Sequence, residues 1–221
     1  MKQKIFLAVL SLSSFFVSTA QTKFGVTAGI NSASWKGDAV QSLNNIVDAT
    51  NGYVSTKART GFHVGAYASV PITEKFAFEP ELLYSQKGYA MRGDIAITAL
   101  KFLGINAKAE VQADYIDVPL LMKAELAPGL SVYAGPQVSF LLRNRLHLST
   151  SVLGFSIYNR NLDMTDNFNK TDIALSGGLA YKFSNGFKIQ AGYDHGLSKV
   201  DANENFKSYN RVVKVGVGFE F

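Results

Sequence analysis

No cysteine occurs among the 221 residues, which excludes a disulfide framework. Whatever holds this chain together is not a covalent cross-link. No run of Lys or Arg occurs either. The formal charge is +5, of which Lys2 and Lys4 supply two units, leaving +3 on the rest, with the basic residues scattered. That distribution excludes a nucleic-acid partner. Beyond the N-terminus no stretch approaches the roughly 20 consecutive apolar residues that a membrane-spanning helix needs. Also missing are a Gly-x-Ser-x-Gly elbow, a phosphate-cradling glycine loop and a zinc motif. The three histidines, His63, His147 and His195, lie far apart without metal-ligand spacing. No cofactor or metal is expected, and no enzymatic activity.

What the chain does contain is apolar residues. They make up 47% of it, and the mean hydropathy is +0.06, high for an exported soluble protein. Export itself is indicated at the start. MKQKIFLAVLSLSSFFVSTAQ has two lysines, a short apolar run from Ile5 to about Val17, then small residues before Gln21. This is the layout of a secretory signal. Residues 1–20 are expected to be a signal peptide cut after Ala20, and residues 21–221 a single domain.

The dominant pattern in that domain is period two, the mark of strands with unlike faces. In KFGVTAGIN, Phe24, Val26, Ala28 and Ile30 alternate with Gly25, Thr27, Gly29 and Asn31. Seven more segments repeat the scheme: GFHVGAYASV, FAFEPELLYSQ, YIDVPLLMKAEL, LSVYAGPQVSF, DIALSGGLAYKF, FKIQAGYDHG and RVVKVGVGFEF. Connections two, four and six (PITEK, APG and SNG) are tight turns. Connections one, three, five and seven are long: roughly 32–59, 88–113, 143–171 and 196–208. Short and long connections alternate strictly, as in an up-and-down barrel of the outer membrane with short periplasmic turns and long extracellular loops. Each segment matches the roughly 9–11 residues that a tilted strand needs to cross hydrocarbon. Lipid leaves no partner for the backbone of an open edge, so the sheet must close. The expected fold is all-β: an eight-stranded antiparallel transmembrane β-barrel.

The opposite face then lines a narrow lumen. It carries many glycines together with Glu79, Glu81, Asp117, Lys123, Glu125, Lys182, Lys188, Asp194, Lys214 and Glu220. These charges are expected to pair across the interior and plug it, because unpaired buried charges are costly. Glu79 and Glu81 face the same way and could instead share acid and base roles; pairing with lumen lysines is the preferred reading. Large aromatics near both ends of the apolar face suggest two interfacial girdles.

The long segments hold what specificity there is. DAVQSLNNIVDA fits a short helix through Val40, Leu43, Ile46 and Val47. The third and fifth connections are apolar for loops. They are compatible with hairpins continuing the strands beyond the bilayer or with segments folded over the mouth. Lys36, Lys57, Arg59, Arg92, Arg143, Arg145 and Arg211 fall near the outer rim. Arg binds phosphate well, so Arg143 and Arg145 are candidate contacts to lipopolysaccharide.

FEPELLYSQKG (78–88), DYIDVPLLMKAEL (114–126), VYAGPQVSFLL (132–142) and GYDHGLSKV (192–200) resemble the outer-membrane β-barrel family common in Bacteroidetes, called PorT-like or porin family. The resemblance covers nearly all of residues 21–221. It implies an eight-stranded barrel in the outer membrane; the family's namesake is tied to type IX secretion, a role that none of these residues carries over to this chain. Strands ending in Phe resemble the signal read by the barrel-assembly machinery, which makes Phe219 and Phe221 candidates for that role. The expected function is structural or partner-binding, with an accessory role in a secretion or surface complex as one form it can take. The alternatives are a small-solute pore, a soluble lipocalin-like lipid carrier, whose apolar face would point inward, and a barrel-embedded hydrolase.

Overall fold

The structure is a computed structural model that describes residues 22–37, 54–94, 106–152, 155–202 and 207–221. The expected signal peptide, residues 1–20, and the helix expected around Val40 to Val47 lie outside these residues.

Nine strands are present among the described residues: β1 (Lys23–Lys36), β2 (Val54–Pro71), β3 (Phe76–Asp94), β4 (Asn106–Ala127), β5 (Leu130–Val152), β6 (Phe155–Asp163), β7 (Thr171–Lys182), β8 (Phe187–Gly196) and β9 (Tyr209–Glu220). All pairings are antiparallel. β1 pairs with both β2 and β9, β4 pairs with β5, and β5 pairs with β7. Eight strands therefore close into a barrel, and β6 is a ninth that pairs only with the upper part of β5.

Closure satisfies the backbone, and the side chains then sort by face. On β1, Phe24, Val26 and Ile30 point out and Thr27 and Asn31 are buried. On β9, Val213, Val215, Val217 and Phe219 point out, while Val212 and Glu220 are buried. The same division runs through β2, β3, β4, β5, β7 and β8 in the expected register. A shift of one residue in any strand would turn its charges toward lipid, so the alternation pins the pairing. This arrangement also disposes of the soluble-carrier alternative, because the apolar residues face outward and the charges inward.

The start of β1, the end of β9 and the three tight turns lie at one end. At that end Thr73 Oγ1 accepts from the Phe76 amide at 3.1 Å, and Asn185 Oδ1 accepts from the Phe187 amide at 3.1 Å. Gly129 and Gly186 take φ of 78° and 86°, a left-handed conformation that side chains disfavour.

At the other end the strands run further than the period-two segments suggested. The β3–β4 ladder continues to the pair Asp94–Asn106, and the β4–β5 ladder to Asn106–Ser151. Much of the third and fifth connections is thus strand, extending the wall as hairpins. The fifth also folds over the mouth: after β6, a 3-10 turn at Thr165–Asn167 leads to an isolated bridge between Phe168 and Asp201.

Candidate functional site: the polar lumen and its outer mouth

Lumen charges lie in three tiers. Near the tight-turn end, Glu79 on β3 holds Lys188 of β8 through Oε1 at 2.9 Å and Lys123 of β4 through Oε2 at 3.2 Å. The Lys188 ammonium sits 3.7 Å from the Tyr67 ring centroid, close enough for a cation–π contact. At the rim below, Glu220 meets Lys182 at 2.7 Å and Lys23 at 3.7 Å. In the middle tier Lys214 pairs with Asp194 at 2.7 Å and donates to Gln137 at 3.2 Å. Ser176 donates to Asp194 at 2.7 Å. The upper tier is Lys87 with Asp117 at 2.8 Å, Lys87 also donating to Ser139 at 3.0 Å. Above it, Asp172 accepts from Asn210 at 2.8 Å and Ser198 at 2.6 Å.

Large side chains complete the filling, and glycines make room for them. The Tyr67 ring occupies the space a Cβ at Gly25 would need, and the Tyr133 hydroxyl does the same at Gly178 and Gly192. Tyr133 donates to the Ala191 carbonyl at 3.3 Å.

Eight of the ten charges expected in the lumen take part in these ion pairs. The other two do not. Glu81 is buried beside a small cavity of about 10 Å³, lined also by His63, Tyr133 and Lys214, and makes none of the pairs. Glu125 is a correction: it is exposed at the tight-turn end, where its Oε1 accepts from the Gly129 amide at 3.1 Å. Period two aimed it inward, but it stands where β4 leaves the barrel and caps the turn instead.

Sequence reasoning missed three features. Lys87 was one, because Gly88 resembled the end of a strand. Another is the seal of the outer mouth. Trp35 stacks on Tyr89 with centroids 5.5 Å apart and rings 6° from parallel, and Phe168 lies 5.7 Å from Trp35. Phe168 also packs on Ala113, Tyr115 and Leu141. Its segment is laced down by the Leu141 amide donating to Lys170 at 2.8 Å and the Asn169 side chain donating to Lys199 at 2.8 Å and Asp201 at 3.0 Å, all to carbonyl oxygens. A composition scan carries no signal for Phe168. The third feature is a ladder at the upper wall: Arg59 pairs with Glu110 at 2.8 Å and donates to Gln112 at 2.7 Å, Gln112 donates to Asp114 at 3.0 Å, and Arg145 pairs with Asp114 at 3.2 Å. Arg145 is thus engaged by a carboxylate, while Arg143 is exposed and outside the ladder.

The histidines are dispersed. His63 is buried against Asn31 at 2.7 Å, His147 meets Asn161 at 2.6 Å, and His195 is exposed on the outer wall.

A family model described as outer membrane protein beta-barrel domain matches residues 19–202. The chain belongs to that family. It is an integral protein of the outer membrane, and the apolar wall of this outer-membrane barrel faces lipid. Among solved structures the barrel is similar to Ail of Yersinia pestis in complex with the heparin analogue sucrose octasulfate. Identity is 17%, with a TM-score of 0.47 and coverage of 91% of this chain and 99% of Ail. It is similar to Neisserial surface protein A at 15% identity, TM-score 0.48 and the same coverage of 91% and 99%. The N-terminal barrel domain of Pseudomonas aeruginosa OprF gives 15%, 0.37, 91% and 100%. No curated protein matches the chain.

Proposed function

We propose that this outer-membrane barrel is a closed wall protein that acts through what its outer surface and raised hairpins bind, and not by conducting solutes. The observation that carries the reading is the filled lumen: three tiers of ion pairs beneath a mouth covered by Phe168. Every ion that passed would have to break buried pairs, at about 3–5 kcal/mol each. A cavity of about 900 Å³ does open at the tight-turn end, but the Glu79–Lys188 tier stands above it.

On this reading the protein is a structural or partner-binding component, accessory to a secretion or surface complex, and the PorT-like resemblance of FEPELLYSQKG and DYIDVPLLMKAEL supports that direction. Its partners include outer-membrane lipid and lipopolysaccharide, with Arg143 as an open contact and Arg145 shared with Asp114. The barrel-assembly machinery engages the last strand through Phe219 and Phe221 during biogenesis. Planar-bilayer recording tests the closed lumen: no steady current is expected, and a stable ohmic conductance would overturn it. Pull-down from solubilised outer membranes, using the full chain, tests the partner-binding role.

A further inference from the structure

One stretch of the outer wall differs from the rest. On β1, β9, β8 and β7 the lipid-facing side chains leave an apolar hollow of about 670 Å³, bordered by Ala28, Ile30, Leu179, Ile189, Ala191 and Val215. The floor is low because Ala191 stands between the larger Leu179 and Val215. Directly above, on the same face of the same strands, are His195 and Arg211. They are cross-strand partners on β8 and β9, each four residues up from the Ala191–Val215 pair. His195 is exposed and packs edge-on against Tyr193, with centroids 6.2 Å apart. Arg211 lies 5.9 Å from the Tyr209 ring and donates through Nη1 to the carbonyls of Gly196 and Asn210, at 2.8 Å each. That anchors the fork by one nitrogen and leaves Nε and Nη2 for a ligand.

The heights fit a lipid. Arg211 is eight residues above Phe219 on β9, about 27 Å along the strand and about 20 Å along the membrane normal at a tilt of ~40°. The apolar band of such a barrel is about 25 Å tall. Arg211 and His195 therefore stand at the outer edge of the hydrocarbon, and the hollow lies near its middle, where acyl chains of the outer leaflet end.

The geometry points to a specific lipid site on this wall: a phosphorylated lipid A molecule of the outer leaflet, with an acyl chain in the hollow at Ala191 and a phosphate on Arg211 and His195. A guanidinium beside an imidazole complements a phosphate, and neither group meets a carboxylate in an ion pair among the described residues, unlike Arg145. This inference rests on the lipopolysaccharide partnership proposed above but moves its principal contact from β5 to β8 and β9.

The test is native mass spectrometry of the full chain, titrated with purified lipid A and with its dephosphorylated form. Arg211→Gln/His195→Gln and, separately, Ala191→Trp should each weaken lipid A retention about tenfold. The intact barrel should prefer the phosphorylated form. Heat-modifiable migration verifies that each variant is assembled, and the two act on different halves of the site, so a folding defect in one leaves the other to decide. Wild-type retention by an assembled variant of either kind overturns the site, as does equal binding of the dephosphorylated lipid. Arg143→Gln/Arg145→Gln is measured alongside. If it alone weakens retention, the lipid partnership stands and this site falls; if no variant does, both fall.

Discussion

Lys188 reaches across the barrel from β8 to lie 2.9 Å from Glu79 on β3 and 3.7 Å from the centre of the Tyr67 ring on β2. One ammonium thus ties three strands at a level where water is excluded. Replacing Lys188 by Met leaves Glu79 with Lys123 alone and is expected to destabilise the barrel by about 3 kcal/mol. Replacing Glu79 by Leu as well should recover part of that loss. Urea unfolding in detergent micelles measures both, and additive losses would contradict coupling of the pair.

Trp35 is the sole tryptophan and sits in the mouth against Tyr89 and Phe168. Phe168→Ala should red-shift its emission and cost about 1.5 kcal/mol, the low end for burying such a side chain, because Phe168 is only partly buried. Unchanged emission would mean that Phe168 does not cover the mouth.

Val215 faces lipid near the middle of β9, flanked by Ile30 and Ala191 on the neighbouring strands. Val215→Arg should cost about 2–4 kcal/mol in bilayers. Reversible folding into vesicles of matched thickness gives the number; no loss would place this residue away from hydrocarbon.

Outside the membrane, Asp163 accepts from both the hydroxyl and the amide of Thr165, at 2.6 and 2.9 Å. The hydroxyl and then the amide bond hold its carboxyl below the ordinary carboxylate range. A lowered carboxyl stabilises the turn above its unfolded value of about 3.9, and that contribution fades as pH falls through the folded value. The Thr165 amide resonance should therefore titrate with a midpoint below about 3.9. A midpoint at or above it would argue against the cap.

The register was legible because two solvents, hydrocarbon outside and a cramped polar interior within, impose opposite demands on alternate residues. Val213, Val215 and Val217 against Lys214 and Gly216 leave no second solution. Strand length was less legible. Gly88 resembled a stop, yet it pairs with Gln112 in a run of the β3–β4 ladder that continues from Leu83 to Asp94, which carries Lys87 into the lumen beside Asp117. Above the bilayer the demand for an apolar face lapses, so period two fades while the hydrogen bonds continue. Phe168 was invisible for another reason: its contacts with Trp35, Ala113 and Leu141 are distant in sequence and follow no local period. Glu125 obeyed the period but stood one step beyond the enclosed lumen.

The absence of cysteine makes the decisive measurement clean. Single cysteines at mid-membrane height on the outward face, at Leu179 on β7, Ile189 on β8 and Val215 on β9, and on the inward face of β7 at Ala174, Ser176 and Ala180, can each carry a spin label in bilayers. The account predicts strong collision with oxygen and weak collision with a polar nickel complex at the first three, and little access by either reagent at the other three. Polar-reagent access at Leu179, Ile189 and Val215, or oxygen access at Ala174, Ser176 and Ala180, would contradict a barrel whose apolar wall meets lipid around a filled, charged interior.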